Sequence, residues 1–251
     1  MNATTGRVAL VTGAAGGIGA ATARELAERG IRVVIDYFHS AEAAERLVTE
    51  IEQAGGQAVA VQADVRDPVA VAALVERVEA LWGGIDVLVH NALTPYAIKS
   101  FREMTWDELG GKVDDEIHAA FVITKAVLPG MTAQRWGRLI YLGTALSHQP
   151  RESMIALGTA KAALTQFARY LAQELGPDGI TVNVVEPGPV TDTGISHVLD
   201  DDQRRRQVAA TPLGRLARPV DVARVVAFYA GEDNAFMTGT TAPVNGGMSM
   251  Y

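Results

Sequence analysis

Short runs of apolar residues, many of them β-branched, alternate along the chain with longer stretches in which apolar residues recur every three or four positions. The short runs predict buried strands, and the longer stretches predict amphipathic helices. Strands and helices in regular alternation are typical of βαβ units and therefore of a parallel sheet. The predicted strands cover residues 8–11, 31–35, 57–61, 85–89, 138–142, 180–185 and 240–244, and the predicted helices cover 20–29, 41–54, 68–82, 105–130, 153–175 and 219–230.

This order of elements predicts an α/β fold: a single doubly wound parallel sheet of Rossmann type, with about seven strands and with helices on both faces. No linker, repeat or low-complexity stretch interrupts the pattern, so residues 1–251 are predicted to form one domain. The least regular segment is 188–212, which we expect to act as a lid over a substrate. Ligands of doubly wound sheets bind beyond the carboxyl ends of the strands, so candidate site residues should follow each strand.

Composition and charge narrow the possible functions. The chain has no cysteine, which excludes disulfides, thiolate nucleophiles and cysteine-ligated metal sites, and no metal site is expected. Its formal net charge of -7 argues against nucleic acid as a partner, because phosphate contacts need a basic surface. No apolar run approaches the roughly 18 residues of a membrane span, and the first residues lack the zones of a signal peptide. We therefore expect a cytoplasmic protein that is not embedded in a membrane.

The first predicted strand ends in a glycine-rich turn. Val8–Val11 is followed by Thr12-Gly13, and glycines at 13, 16, 17 and 19 lead straight into the first predicted helix. A tight turn from strand into helix points free backbone N–H groups outward at the positive end of the helix dipole, where a pyrophosphate binds without a basic side chain. The turn therefore predicts a dinucleotide site formed by Thr12, Gly13, Gly17, Ile18 and Gly19.

The motif Thr-Gly-x3-Gly-x-Gly at 12–19 resembles that of the short-chain dehydrogenase/reductase family. The segment 212–247 also matches that family, so the resemblance covers essentially the whole chain. It implies NAD or NADP as the cofactor. Three further pairs match the family. Asp64-Val65 is implied to contact adenine, and Pro187-Gly188 is implied to lie beside the nicotinamide. In the third pair, Asn91-Ala92, Asn91 either contacts the cofactor or braces the sheet, and Leu93 replaces the glycine that usually follows.

Asp36 bears on the choice between the two cofactors. It follows Gly19 by 17 residues, about where an acidic side chain holds the adenosine ribose and repels the 2′-phosphate of NADP. Gly16 also stands where NADP-binding relatives often carry arginine. The run Asp36-Tyr-Phe-His-Ser40, however, is similar to the Asn-Tyr-x-x-Ser run of NADPH-using relatives. We therefore favour NAD slightly over NADP, and a solvated carboxylate at a strand end is the alternative.

The catalytic stretch departs from the family pattern. Members of the family carry a serine after strand five, then a tyrosine that donates the proton, then a lysine that lowers the pKa of the tyrosine and holds the nicotinamide ribose. At the same spacing this chain has Thr144, Leu157 and Lys161. Thr144 retains a hydroxyl and Lys161 an ammonium group. Leu157 cannot donate a proton, and residues 142–169 contain no tyrosine.

Two other titratable residues could take over the proton. Glu116 falls near the position of the helix-four asparagine in the family's proton relay, and burial could raise its pKa enough for it to act as an acid. His148 follows Thr144 by four residues, in the loop expected beside the substrate, and histidine suits acid–base chemistry near neutral pH. Tyr96 and His118 are more remote candidates. The alternatives are a half-exposed charge for Glu116 and a surface-loop histidine for His148.

Two functions fit these residues. The first is an atypical NAD(P)-dependent oxidoreductase that transfers hydride to or from a small organic carbonyl or enone substrate, since an enone tolerates loss of the tyrosine better than a simple ketone does. The alternative is a catalytically inactive nucleotide-binding or scaffold protein of the same fold. Retention of Thr144 and Lys161 favours the enzyme, whose partner would be a small-molecule substrate.

The fifth long helix also predicts self-association. Members of the family commonly pair helices four and five between subunits, so we expect a homodimer or homotetramer. The sequence feature behind this expectation is an apolar stripe at three- and four-residue spacing, and the alternative is that the stripe belongs wholly to the core. The stripe consists of Leu157, Ala160, Leu164, Ala168, Leu171 and Leu175.

Overall fold

A parallel sheet forms the centre of the computed structural model, which describes residues 6–193 and 200–250. Its strands are β1 (Val8–Val11), β2 (Arg32–Tyr37), β3 (Ala58–Gln62), β4 (Val87–His90), β5 (Gly137–Leu142), β6 (Ile180–Pro187) and β7 (Thr241–Val244). The helices are α1 (Gly17–Glu28), α2 (Ala41–Gln53), α3 (Pro68–Trp82), α4 (Trp106–Gln134), α5 (Ile155–Leu175), α6 (Asp201–Ala209) and α7 (Pro219–Ala230). Within the described residues, none of these helices is long and apolar enough to cross a membrane.

The strands lie in the order β3-β2-β1-β4-β5-β6-β7, and every neighbouring pair is parallel. Helices α3, α4 and α5 contribute to the apolar core on one face, and α1, α2 and α7 contribute to the core on the other. The chain starts in the middle of the sheet and winds outward in both directions. The predicted doubly wound α/β sheet of seven strands is therefore confirmed, with the change of winding direction between β1 and β4.

Helix α4 is longer and more regular than the sequence pattern indicates. It begins with a capping box, in which Thr105 and Glu108 exchange side-chain and backbone hydrogen bonds. The box stabilises the first turn, so the pair Gly110-Gly111 does not interrupt the helix. The helix continues to Gln134, beyond the predicted end at residue 130.

Two strands extend further than predicted and carry site residues into the sheet. β2 continues to Tyr37 because Asp36 and Tyr37 still pair with β3, so Asp36 lies inside the strand and not after it. β6 continues to Pro187, which pairs with Val244 of β7. Long-range pairing of this kind has no signature within the short strand patterns themselves.

The predicted lid at 188–212 contains α6, a helix absent from the predicted elements. It begins with a capping box between Asp200 and Gln203. No residue of α6 is buried, so the helix has no apolar face whose periodicity could have revealed it. Residues 194–199 of this segment lie outside the described part of the chain, and the lid stays a prediction.

The apolar stripe of α5 lies in the core and not on an exposed face. Leu164, Ala168 and Leu175 are buried in the same apolar core as residues of α3 and α4. Leu157 and Ala160 are buried as well. Leu171 is partly buried and packs against this core. The stripe therefore gives no support for self-association, which stays a prediction.

Candidate active site

The glycine-rich turn packs directly against the loop that follows β4. Gly13 has a φ of +60°, and a Cβ there would lie 2.9 Å from the Cα of Ala92. At Gly19 a Cβ would lie 2.7 Å from the Nδ2 of Asn91. A larger side chain at either position would push the β1 and β4 loops apart, so this close approach requires glycine.

The N-terminus of α1 is open to a ligand. Gly16, the N-cap residue, offers no side chain to the N–H groups of the first turn, and that turn contains no acidic residue. A Cβ at Gly16 would meet no described atom within 4 Å, so there is space in front of it. Free N–H groups at the positive end of a helix dipole suit the pyrophosphate of a dinucleotide. The residues present, Gly17 and the cleft-lining Ile18 among them, therefore fit an NAD(P) cofactor.

Thr12 and Asn91 hold the two loops together. The Thr12 hydroxyl oxygen accepts hydrogen bonds from the backbone N–H groups of Asn91 and Ala92, both at 3.0 Å. The side-chain amide of Asn91 donates to the backbone carbonyls of Thr12 and Gly13, at 3.0 and 3.1 Å. Of the two roles open to Asn91, this geometry supports bracing of the sheet. Cofactor contact by either side chain stays a prediction.

Asp36 is buried beneath the glycine-rich turn and is only 2% exposed. Its Oδ2 accepts the backbone N–H of Gly13 at 3.1 Å, and its Oδ1 is buried without a hydrogen-bond donor in the described part of the chain. Burial raises the pKa of Asp36 to about 7. The carboxyl group braces the turn. Binding a ribose requires a carboxylate that is accessible from solvent, and the Asp36 carboxyl group is not accessible. The reason to favour NAD over NADP is therefore lost.

The Asp64 carboxylate is engaged by Arg66, whose Nη2 lies 2.8 Å from Oδ2. Hydrogen bonds from the Arg66 guanidinium hold the pKa of Asp64 below its usual range. Arg66 also pairs with Asp115 on α4 at 3.1 Å. Val65 is buried. The adenine contacts of Asp64 and Val65 stay predictions.

A cleft of about 250 Å³ lies beside the residues that follow β5 and β6. Thr144, Leu157 and Lys161 line it together with Pro187 and Gly188. The Thr144 oxygen accepts the backbone N–H of the second residue after it at 3.4 Å, which leaves the hydroxyl proton available to a ligand. Leu157 presents only hydrocarbon to the cleft.

Lys161 is held by a buried network of charges. Its Nζ donates to the backbone carbonyl of Leu142 at 2.6 Å and lies 2.7 Å from the Oε1 of Glu116. The other Glu116 oxygen accepts a hydrogen bond from Lys112 at 2.6 Å, and Lys112 also donates to Thr94. The three charged side chains are at most 5% exposed. An ammonium group has three N–H donors, so Lys161 keeps one for a ligand in the cleft.

Glu116 does not have the raised pKa predicted for it. Burial raises the pKa of this carboxyl, but the charges of Lys161 and Lys112 outweigh burial and lower the pKa to about 2. The carboxylate is ionised at neutral pH and cannot supply a proton, which corrects the prediction. Its role in this geometry is to position Lys161. Lys112 is not among the predicted site residues, although its i, i+4 spacing to Glu116 is a signal for an ion pair on one helix.

His148 lies beside a second buried carboxylate and not in the wall of the cleft. Its Nε2 is 3.4 Å from the Oε2 of Glu186, a fully buried residue of β6. Glu186 also accepts a hydrogen bond from Thr165 on α5. Tyr96, by contrast, lines the cleft although it is distant from the catalytic stretch in sequence. No local signal predicts that Tyr96 lines the cleft and His148 does not, because this depends on the position of the loop after β4.

Asp36→Asn should remove a pH dependence of stability. Folding raises the pKa of Asp36 from 3.8 to about 7, so its protonated form stabilises the folded chain. That contribution is complete below about pH 4 and is lost as the pH rises through about 7. Asparagine stays neutral, so the variant should gain a few kcal/mol relative to wild type between about pH 5 and pH 8 in urea unfolding. Exposed Asp233→Asn is the control, and parallel pH profiles for Asp36→Asn and wild type would contradict the expectation.

Glu116→Gln should lower the free energy of unfolding at pH 7 by about 3–5 kcal/mol, because two buried ammonium groups lose their counter-charge. The loss should shrink at higher pH, since burial lowers the pKa of Lys112 and makes its neutral form more accessible. Asp114→Asn, exposed on the same helix, should change stability by less than about 0.5 kcal/mol. A loss no larger than in this control would show that the network does not stabilise the fold.

Known proteins resemble this chain over nearly its full length. Residues 13–249 match the enoyl-(acyl carrier protein) reductase family. The chain is 39% identical over 245 residues to the 3-oxoacyl-[acyl-carrier-protein] reductase of Pseudomonas aeruginosa, and 98% of each chain is covered. The enzymes of that name from Escherichia coli and Staphylococcus aureus are each 34% identical, over 247 and 244 residues; the matches cover 98% and 96% of this chain and 98% of each relative. Together with the sheet order and the glycine-rich turn, these matches establish that the chain belongs to the short-chain dehydrogenase/reductase family of NAD(P)-dependent oxidoreductases.

Proposed function

We propose that this chain transfers hydride between NAD(P) and a small organic carbonyl or enone, by an atypical route that does without the family's tyrosine. The observation that carries the proposal is the single cleft lined by Thr144, Leu157 and Lys161. Two of the three groups of the catalytic pattern remain, and a leucine takes the third position. The names of the relatives and of the matching family specify a 3-oxo group and an enoyl group, which are a ketone and a conjugated double bond.

The retained groups have distinct roles in this proposal. When bound, the nicotinamide supplies or accepts the hydride. Lys161 binds the ribose with its remaining N–H, while Glu116 and the Leu142 carbonyl fix the position of its ammonium group. Thr144 donates a hydrogen bond from its hydroxyl group to the substrate oxygen. The mostly apolar walls exclude water, which strengthens both electrostatic contacts.

The proton comes from a group other than Leu157. Tyr96 lines the cleft, and burial raises the pKa of its phenol, so it is protonated at neutral pH and can donate. His148 is the second candidate, with Glu186 as the carboxylate that orients it. An enone depends least on this proton, because hydride addition at its β-carbon spreads negative charge over the conjugated system before protonation. Enones are therefore the favoured substrates.

The residues that follow Asp36 determine, in this proposal, whether NAD or NADP binds more tightly. Because the Asp36 carboxyl group is buried, it offers little charge to an approaching 2′-phosphate. Phe38, His39 and Ser40 are exposed at the end of β2 and are available to contact the adenosine end of either cofactor. Fluorescence titration with NADH and NADPH measures the preference directly.

The test of the proposed function is reduction of matched saturated ketones and enones, followed through cofactor absorbance with both NADH and NADPH. Wild type should reduce the enones faster. Leu157→Tyr restores a phenol beside Lys161 and should accelerate ketone reduction by up to about 10²–10⁴-fold, the usual contribution of general acid catalysis. Leu157→Phe, which adds the ring without the hydroxyl, is the matched control and should not. Tyr96→Phe should slow wild-type turnover.

Three outcomes would change the proposal. Brisk ketone reduction that survives Tyr96→Phe would assign the proton to another group, with His148→Gln as the next variant to measure. Cofactor binding without turnover of any substrate would favour the inactive nucleotide-binding alternative. Failure of both cofactors to bind at millimolar concentration would contradict the enzyme and the nucleotide-binding protein alike.

We also propose a homodimer or homotetramer, through a surface other than the buried stripe. Phe121 on α4 and Tyr170 on α5 are 49% and 64% exposed, on two helices that pack against each other. Large apolar side chains on neighbouring helices suit a subunit interface. Light scattering should give at least twice the 26.6 kDa chain mass, and Phe121→Glu should lower it, while Leu81→Glu on α3 should not. A wild-type mass of 26.6 kDa would contradict this proposal.

A further inference from the structure

The cleft of the proposed active site has a charge opposite to that of the chain. The chain carries 29 acidic and 22 basic residues, yet none of the described residues that line the cleft is acidic. Two cations line it, Lys161 and Arg151. Lys161 shares the single carboxylate of Glu116, at 2.7 Å, with Lys112. Because Arg151 has no such carboxylate among the described residues, the cleft has a net positive charge.

Arg151 is exposed, and among the described residues its guanidinium donates to a weak acceptor. No carboxylate oxygen among residues 6–193 and 200–250 forms an ion pair with its guanidinium, which donates through Nη2 to the sulfur of Met248 at 3.2 Å. A thioether is a weak acceptor, whereas a guanidinium matches a carboxylate with two parallel N–H···O bonds. An anionic ligand would replace the weak acceptor with a strong one.

A second polar group of the cleft also lacks a partner. The Oε1 of Gln207, on α6, is buried and accepts no hydrogen bond in the part of the chain that the structure describes. Buried polar atoms of this kind are rare in folded proteins, and a hydroxyl or N–H group of a ligand can satisfy this one. Both unmatched groups belong to walls that are otherwise largely apolar, with Leu146, Met154 and Val190 among their residues.

We infer that the substrate is a small organic carboxylate whose apolar body fills the cleft and whose carboxylate is bound by Arg151. The inference rests on the proposed function, because it takes this cleft as the substrate site. A volume of about 250 Å³ and apolar walls with a few polar groups suit a small molecule of this class. Arg151 binds and orients the carboxylate end, at a distance from the atoms that exchange hydride. A hydroxyl or amine on the same molecule would meet Gln207.

Calorimetry tests this inference without requiring turnover. The chain is first saturated with whichever of NAD and NADP binds more tightly, and is then titrated with 4-phenylbutanoate or with 4-phenylbutanamide, which share a shape and differ in charge. Wild type should bind the acid at least about tenfold more tightly than the amide, as a charge-assisted two-point contact predicts. Arg151→Gln should bind the two equally, and Arg151→Lys should retain part of the preference. Arg46→Gln, an exposed arginine on α2, should behave like wild type.

Equal affinity for the acid and the amide in wild type would overturn the inference. So would an acid preference that survives Arg151→Gln, or failure of both compounds to bind at millimolar concentration. The proposed function is tested by a separate measurement, the reduction of enones. If the acid preference depends on Arg151 but no enone is reduced, the carboxylate site stands without the oxidoreductase. If enones are reduced and the acid is not preferred, the oxidoreductase stands without the carboxylate site.

Discussion

The contact between the ends of β1 and β4 is the constraint on which the rest of the site depends. Thr12 supplies one oxygen to two backbone N–H groups of the β4 loop, and Gly13 and Gly19 leave no room for a side chain between the loops. The two halves of the sheet diverge at this point. Because backbone atoms and small residues close the junction, the N–H groups of α1 are left for a ligand, and the packing that joins the halves also shapes a site that fits a dinucleotide.

Two buried carboxyl groups near this junction differ because of their neighbours. Asp36 faces a backbone N–H, so burial dominates and raises its pKa to about 7. Glu116 is equally inaccessible but faces two ammonium groups, and its pKa falls to about 2. Burial by itself therefore does not identify a proton donor in this protein. The charges within a few ångströms decide whether a buried carboxyl group holds a proton or stabilises a cation.

The same charge network shapes the cleft. A buried ion pair stabilises a fold only when attraction and hydrogen bonds offset the cost of removing both charges from water, and Glu116 meets this condition with lysines on two sides. Lys161 is thereby held in one place beside a carboxylate that it shares with Lys112. Two further polar side chains, those of Arg151 and Tyr96, line the cleft from loops outside the catalytic pattern.

Local sequence was sufficient for the layered fold and the cofactor turn, because strand runs, helix periodicity and glycine spacing are properties of consecutive residues. It was sufficient also to place Thr144, Leu157 and Lys161 in one candidate site, and all three line the same cleft. It could not predict that Tyr96 lines the cleft, that Asp36 is buried or that Glu116 is ionised. Each of these outcomes depends on residues far apart in the chain: the pairing of β2 with β3, the loop after β4 and the packing of α4 on α5. Burial and charge proximity are set by such long-range contacts, and sequence spacing does not encode them.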